Sequence, residues 1–187
     1  MKVATASRKD DVEGPPVEWY RALYIHDFEY SVSMIYGELS PADYPERYMK
    51  GVWLFNNRFF FECHEILEAQ WMETIGTEKT FYQMIIHAAV AFVHWENGNR
   101  KGVLSLHHTF QLKAKSIPAN RYQGLNIEKL RADMEALIGP YREDPNLELQ
   151  PFAEMVAPVI DVEGFTPLEC SEHELLVLGR HIEEDEE

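Results

Sequence analysis

The chain is poor in cysteine and in positive charge, and both shortages exclude classes of function. Its 187 residues include two cysteines, Cys63 and Cys170, without C-x-x-C spacing, so neither a zinc knuckle nor a disulfide framework is predicted. It has 17 Lys and Arg against 32 Asp and Glu, a formal net charge of -15. Nucleic-acid binding usually requires a basic surface. We therefore expect no nucleic-acid partner and no anionic membrane partner.

Long apolar runs are also missing. The longest, residues 84–93, is too short to cross a bilayer and contains His87. Residues 1–14 lack the apolar stretch of a secretory signal. These features predict a cytoplasmic protein with reduced thiols and without a membrane-spanning segment.

Complete catalytic motifs are absent as well. The sequence has no glycine-rich phosphate loop, nucleophile elbow or kinase signature. His64-Glu65-x-x-Glu68 shares the beginning of the zinc-protease motif H-E-x-x-H, but a glutamate stands where the second histidine ligand is needed. No Glu-x-x-His occurs, so a ferritin-like di-iron pair is not predicted. The sequence thus leaves open whether the protein is an enzyme, and which cofactor, if any, it binds.

What the chain does contain is typical of one globular helical domain. Hydrophobic residues make up 45% and aromatic residues 12%, which is enough for a sizeable core. We predict an all-α bundle of about five to seven helices. The domain is expected to cover residues 17–182, with a mobile tail at 1–16 and a disordered acidic tail at 183–187.

Caps and breakers predict the helix boundaries. Ser40-Pro41 favours a helix start, and that helix should run to Phe55. Three further helices are predicted at 60–75, 78–97 and 100–117. Asn126 should cap a fifth helix at 127–138, which Gly139-Pro140 is expected to end. Beyond it, prolines predict irregular structure with apolar stretches at 152–160 and 175–182 that pack on the body.

A weak internal repeat relates two parts of the chain. Residues 55–71 and 94–112 both read as helix, tight turn, helix, and an offset of 40 residues aligns Cys63 with Val103. Small or β-branched residues at that point allow two helices to approach closely. The pattern predicts two antiparallel hairpins packed in a tetratricopeptide-like manner.

The predicted helix at 60–75 carries glutamates on a partly apolar face. At about 100° per residue, Glu62, Glu65 and Glu68 fall opposite the core stripe, together with Phe61 and Met72. The helix is therefore expected to be covered on more than one side, with Glu65 partly buried. A buried carboxylate requires hydrogen-bonded or charged partners, or it becomes protonated.

The next helix carries polar side chains on one face too. Gln83, His87 and His94 lie within about 40° of one another on a helical projection. Because short connections make consecutive helices neighbours, we expect His64 and Glu65 to meet Gln83 and His87. The candidate buried polar cluster is Glu62, His64, Glu65, Glu68, Gln83, His87 and His94, flanked by an aromatic motif of Phe55, Phe60, Phe61 and Trp71.

These residues also carry a family resemblance. The signature runs Phe55-Asn56-x-x-x-Phe60-Phe61-Glu62-x-His64-Glu65-x-Leu67-Glu68-x-x-Trp71, and Tyr82-Gln83 and Gly98-Asn99-Arg100-x-Gly102 follow it. It resembles domain-of-unknown-function family 309, over a core of about residues 42–117. The resemblance implies an all-α bundle and no established activity. The family usually has glycine where Arg58 stands and alanine where Cys63 stands.

Two functional hypotheses remain. We favour a non-enzymatic helical module that binds a protein partner or forms a homo-oligomer, with the Glu/His cluster as a structural network. The alternative is a metal-dependent or acid–base enzyme acting on a small molecule. In that alternative Glu65, Glu68 and His87 are the candidate metal ligands, because carboxylates and imidazoles suit Zn, Mn or Fe.

Overall fold

A computed structural model describes residues 44–164, and the predicted all-α fold is confirmed there. The predictions for residues 1–16, 175–182, 183–187 and Cys170 lie outside this range. The five α-helices of the described part are α1 (Glu46–Asn56), α2 (Phe60–Met72), α3 (Gly76–Glu96), α4 (Arg100–Ser116) and α5 (Ile127–Glu143). Two short strands, β1 (Arg121–Tyr122) and β2 (Leu125–Asn126), form an antiparallel ribbon, and a 3₁₀ turn spans Phe152–Glu154.

The turn between α1 and α2 closes the first hairpin. Arg58 has a φ of 69°, in the left-handed region that ends many helices. Its N–H donates to the Phe55 carbonyl at 3.1 Å, and the Phe59 N–H donates to the Leu54 carbonyl at 2.9 Å. This pair of bonds defines a Schellman motif, which satisfies carbonyls at the end of α1 and reverses the chain.

The same turn recurs 40 residues later, between α3 and α4. Gly98 has a φ of 63°, and its N–H donates to the Trp95 carbonyl at 2.9 Å. The Asn99 N–H donates to the His94 carbonyl at 2.8 Å. Every position is the counterpart of one in the first turn, so the repeat inferred from the sequence is present in the backbone. Glycine takes the left-handed conformation more readily than arginine.

The core lies where the two hairpins meet. Cys63 and Val103, aligned by the repeat, are both fully buried, and burial raises the pKa of the Cys63 thiol. Phe60 of α2 packs against Phe92 of α3 with ring centroids 4.6 Å apart. The largest buried side chains come mainly from α1, α2 and α3: Trp53, Trp95, Tyr48, Tyr82, Phe55, Phe60, Phe81, Phe92 and Phe110.

Two predicted boundaries in the first hairpin are wrong. α1 begins at Glu46, because Pro45 adopts an extended conformation with φ -57° and ψ 133°, and so the predicted helix is not continuous up to Phe55. α2 ends at Met72 rather than near Ile75, which is itself extended with φ -134° and ψ 165°. The Thr74 hydroxyl donates to the Trp71 carbonyl at 3.1 Å and closes the end of that helix.

α5 continues through the sequence that was expected to end it. It runs past Gly139 and Pro140 to Glu143, and so the prediction of an end at 138 is wrong. Tertiary contacts hold its last turn. The Tyr141 ring packs edge-on against Trp95 at 5.1 Å, and Arg100 donates hydrogen bonds to the carbonyls of Tyr141 and Asp144. These contacts offset the amide hydrogen bond that proline cannot make.

Asn126 caps α5, and the segment that follows α5 packs against the first hairpin. The Asn126 side chain accepts from the Lys129 N–H at 3.0 Å, as predicted for a capping residue. In the segment after α5, the backbone of Ile160 makes two hydrogen bonds with the side chain of Asn56 in α1. The Asn56 side chain donates to the Ile160 carbonyl at 2.9 Å and accepts from the Ile160 N–H at 2.8 Å. Met155 and Ile160 are buried, so residues 152–160 pack on the body as expected. None of the helices within residues 44–164 is both long and apolar enough to cross a bilayer.

Candidate functional site

One helix presents three metal-ligating side chains in a small volume. His64, Glu65 and Glu68 of α2 each offer a ligand atom, and these atoms lie within 4.8 Å of one another. Nδ1 of His64 is 2.9 Å from Oε1 of Glu65, and Nε2 of His64 is 3.8 Å from Oε2 of Glu68. The side chains of His64 and Glu65 are largely covered, with 22% and 15% exposed, whereas Glu68 is 41% exposed.

The close approach of His64 and Glu65 is not a hydrogen bond. Although Nδ1 of His64 is shielded from solvent and close to the carboxylate, it has no partner in hydrogen-bonding geometry. Two atoms bound to neighbouring positions of one ion, with bonds of about 2.1 Å, lie about 3 Å apart. The separation is therefore compatible with two ligands that converge on an ion.

Two residues of this cluster, His64 and Glu68, line a cleft between α2 and α3. The cleft has a volume of about 250 Å³, and we call it the α2–α3 cleft. This is smaller than most drug-sized sites, so the cleft suits a molecule of few atoms. Its lining residues are His64, Glu68 and Trp71 from α2, and Gln83, Ile86, His87 and Val90 from α3.

Two more nitrogen atoms of the residues that line this cleft lack partners. Nε1 of Trp71 and Nδ1 of His87 are shielded from solvent and have no hydrogen-bond partner. A buried polar group without a partner typically costs about 1–3 kcal/mol. Together with Nδ1 of His64, three of the four buried side-chain atoms that lack partners in residues 44–164 belong to residues lining this cleft.

The α3 side of the cleft has positive charge nearby. Nζ of Lys79 lies 4.3 Å from the centre of the Trp71 ring, in a cation–π contact. Burial, and secondly the positive charge of Lys113 on α4, lower the pKa of His87. His87 is therefore a neutral imidazole near neutral pH. Positive charge therefore acts on both Trp71 and His87, whereas the carboxylate of Glu68 lines the same cleft.

The structure brings some of the predicted site residues together and separates others. His64, Glu68, Gln83 and His87 line one cleft. Of the two residues expected to meet Gln83 and His87, His64 lines this cleft and Glu65 does not. Glu65 lies beside His64, partly buried as expected.

Two predicted members lie elsewhere. Nδ1 of His94 is 3.1 Å from the Asn99 side-chain amide, and its ring packs over Gly102 at the second turn. Glu62 is not among the residues that line the cleft. Burial, and to a smaller extent the neighbouring charges of Glu96 and Glu65, raise the pKa of Glu62. A backbone hydrogen bond partly offsets this increase.

The outer face of α2 is less covered than the sequence suggested. Met72 is 64% exposed and Phe61 is 40% exposed, so the expectation that apolar residues among the glutamates are covered is wrong for them. Phe55 and Phe60 lie in the core, and Trp71 lines the cleft. The sequence placed Trp71 in the aromatic motif, and it did not predict that the charges of Lys79 and Lys113 act on residues that line the cleft.

A second groove lies between α4 and α5. This α4–α5 groove has a volume of about 440 Å³. His107, which is 2% exposed, lies in its wall with Nε2 at 3.1 Å from the Gln111 amide and 3.4 Å from Glu135. Glu135 also pairs with Arg142 through both carboxylate oxygens. Its lining residues are Leu104, His107, His108, Gln111, Lys115, Glu128, Arg131, Ala132, Glu135 and Arg142.

Residues 48–106 match the model of a family described as a domain of unknown function, DUF309. This match confirms the resemblance inferred from the sequence. It covers nearly all of α1, all of α2 and α3 and the first part of α4, and every residue that lines the α2–α3 cleft falls within it. The α4–α5 groove lies mostly outside it. No curated protein and no solved structure gives a significant match to the chain.

Proposed function

Because residues 48–106 match a family without an assigned function, we propose a function from the geometry of the cleft. The protein binds a divalent transition-metal ion through His64, Glu65 and Glu68 and holds a small ligand beside that ion in the α2–α3 cleft. The observation that carries the proposal is the convergence of the three ligand atoms within 4.8 Å. This is the alternative hypothesis of the sequence analysis, with His64 in place of His87 as the nitrogen ligand.

The ligand set selects the class of metal. One imidazole with two carboxylates suits Zn²⁺, Mn²⁺ or Fe²⁺ better than Ca²⁺ or Mg²⁺, which prefer oxygen ligands alone. Bonds to such ions are about 2.0–2.2 Å long, so the three side chains must close slightly on the ion. Glu68 is 41% exposed, and rotation of its side chain is enough for that adjustment.

Open coordination positions give the site its chemistry. Three protein ligands from one helix leave positions for water and for a ligand atom, as in catalytic rather than structural metal sites. An ion at this position polarises an oxygen that binds to it and lowers the pKa of bound water. The activity that fits is a metal-dependent reaction, hydrolytic or proton-transferring, on a small molecule in the cleft.

Metal titration of the full chain tests the proposal. The protein is prepared without an affinity-tag metal, stripped with chelator, and titrated calorimetrically with Zn²⁺ and Mn²⁺. Glu65→Gln and Glu68→Gln preserve side-chain shape and remove a ligand. Glu135→Gln is the matched control, because this carboxylate also lies beside a histidine, 3.4 Å from Nε2 of His107.

We expect one ion per wild-type chain, unchanged affinity in Glu135→Gln, and a loss of at least about tenfold in each cleft variant. Equal affinity in wild type, Glu65→Gln and Glu68→Gln would contradict the proposal. The absence of binding in the wild type would contradict it as well.

The module hypothesis has a separate observation in its favour. Met72 and Ile75, at the end of α2, are 64% and 86% exposed, and exposed apolar residues can mark an interaction surface. We propose self-association through this surface as the second candidate function. Light scattering of the wild type and of a Met72→Ser, Ile75→Ser double variant tests it. A wild-type oligomer that the double variant loses would support it, and a monomeric wild type would contradict it.

A further inference from the structure

The residues that line the α2–α3 cleft, other than those proposed to bind the metal, indicate which class of small molecule binds there. Trp71, His87 and Gln83 line the cleft, and they carry an indole N–H, an imidazole and an amide. The indole nitrogen is a donor only, whereas the other two groups can donate or accept. A ligand that reaches the Trp71 nitrogen must therefore offer it an acceptor atom.

Both nitrogens in this part of the lining that lack partners have a lysine nearby. Lys79 is stacked over the Trp71 ring at 4.3 Å. The positive charge of Lys113 is a secondary cause, after burial, of the lowered pKa of His87. A metal ion bound by His64, Glu65 and Glu68 would neutralise the charge of the two carboxylates. Once the ion is bound, the local charge favours an anion over a neutral acceptor such as an alcohol.

We propose that the α2–α3 cleft binds a small oxyanion, a carboxylate or a phosphate. One oxygen coordinates the ion at His64, Glu65 and Glu68, and another accepts hydrogen bonds from Trp71 and His87. This inference rests on the proposed metal site and adds the class of ligand. Nε1 of Trp71 and Nδ1 of His87 are shielded from water in the described structure, so a short side-chain movement accompanies binding.

The size of the cleft restricts the anion further. A volume of about 250 Å³ accommodates a compact mono- or dicarboxylate, or a phosphate group with a short substituent. A nucleotide or a peptide would extend out of the cleft, because such ligands need sites toward or beyond the upper part of the usual range. The structure thus assigns the cleft to metabolite-sized anions.

The experiment titrates zinc-loaded full-length protein with oxalate, with inorganic phosphate and, as a neutral probe, with ethylene glycol. Trp71→Phe removes the N–H and keeps an aromatic ring, and Lys79→Gln removes the nearby charge. Lys101→Gln is the charge-matched control, because Lys101 is exposed on α4 away from the cleft. Zinc affinity is measured on the same samples.

We expect the wild type and Lys101→Gln to bind at least one of the two anions and not the glycol. Trp71→Phe should bind that anion about tenfold or more weakly, the usual loss for a hydrogen bond to a charged group. Oxalate binding alone identifies a carboxylate ligand, and phosphate binding alone identifies a phosphate.

Two outcomes overturn the inference by itself. In one, zinc binds and neither anion does. In the other, zinc-loaded Trp71→Phe binds the anion as tightly as the wild type. Failure of the wild type to bind zinc is a distinct result, because it overturns the metal site and this inference together.

Discussion

The two openings of this protein differ in how their polar groups are satisfied. In the larger α4–α5 groove, His107 contacts Gln111 and Glu135, and Glu135 is held by Arg142. In the smaller α2–α3 cleft, nitrogen atoms of His64, Trp71 and His87 are buried without a hydrogen-bond partner. Size alone would favour the groove, at about 440 Å³ against about 250 Å³.

The difference shows that buried polar atoms without a hydrogen-bond partner are better evidence of a ligand site than the volume of an opening. Native proteins pair most of their buried polar groups, and exceptions call for an explanation such as an ion or a ligand. The α4–α5 groove supplies its own partners, so its polarity is explained by the joining of two helices. The α2–α3 cleft has no such internal explanation, and it lies within the segment that matches the family model.

The largest difference between variants of the cleft and of the groove should be in how much zinc raises their unfolding free energy. Binding to the folded state alone stabilises a protein by about 2.7 kcal/mol when the free ligand is at a hundred times its dissociation constant. We expect this gain for the wild type and for Glu135→Gln, and little gain for Glu68→Gln. Chemical denaturation with and without zinc measures it. Equal stabilisation of Glu68→Gln and the wild type would remove the distinction.

Removal of a partner in the α4–α5 groove should be the next largest effect. The Gln111 amide contacts Nε2 of His107 at 3.1 Å and donates to the Arg131 carbonyl at 3.2 Å. Gln111→Leu leaves the buried His107 without this contact, so the unfolding free energy should fall by about 1–3 kcal/mol. Urea denaturation at neutral pH provides the measurement. A change below about 0.5 kcal/mol would show that the groove is no better satisfied than the cleft.

Acidification should act through His107. Burial is the main cause that lowers its pKa from 6.5, and the nearby carboxylate of Glu135 opposes that effect. Below the ordinary value the unfolded chain binds a proton that the folded chain does not, so stability falls as the pH falls. Between about pH 7 and pH 5, the unfolding free energy should decrease less in His107→Gln than in the wild type. His87 titrates in the same direction, so the variant should retain part of the slope.

The smallest change in unfolding free energy should come from a substitution in the α2–α3 cleft of the zinc-free protein. Trp71→Phe removes a buried N–H that has no partner, and loss of an unsatisfied donor costs no hydrogen bond. In zinc-free protein we expect little loss of unfolding free energy, because removal of the unpaired N–H offsets the contacts that the smaller ring loses with Lys79. A loss of 2 kcal/mol or more, roughly the penalty for breaking a made bond, would mean that the indole N–H has a partner within the fold.

Local sequence signals predicted much of the fold. The asparagine-containing turns placed both hairpins, and the offset of 40 residues is realised in matching Schellman bonds. The signals failed where distant contacts decide the local structure. α5 runs through Gly139-Pro140 because Arg100 and Trp95 hold its last turn. No local pattern at Pro140 carries that information.

Local sequence signals also predicted part of the candidate site, and they failed where distant packing decides which residues meet. Helical spacing and a short connection were enough to predict that His64 lies near Gln83 and His87, but the glutamate that lines the cleft with them is Glu68 and not Glu65. His94 was misplaced because a helical projection ignores what each turn of the helix faces, and its ring packs on Gly102 near the end of α3. The approach of Lys113 to His87 depends on the packing of α4, which helical periodicity does not give.

Anomalous diffraction from crystals of the full chain soaked in zinc tests the central claim most directly. The account predicts an anomalous peak about 2.0–2.2 Å from a His64 nitrogen and from oxygens of Glu65 and Glu68, beside the α2–α3 cleft. Crystals of Glu68→Gln should lose or strongly weaken this peak. A zinc-soaked crystal with no peak at His64, or with its peak at His107 and Glu135 in the α4–α5 groove, would contradict the account.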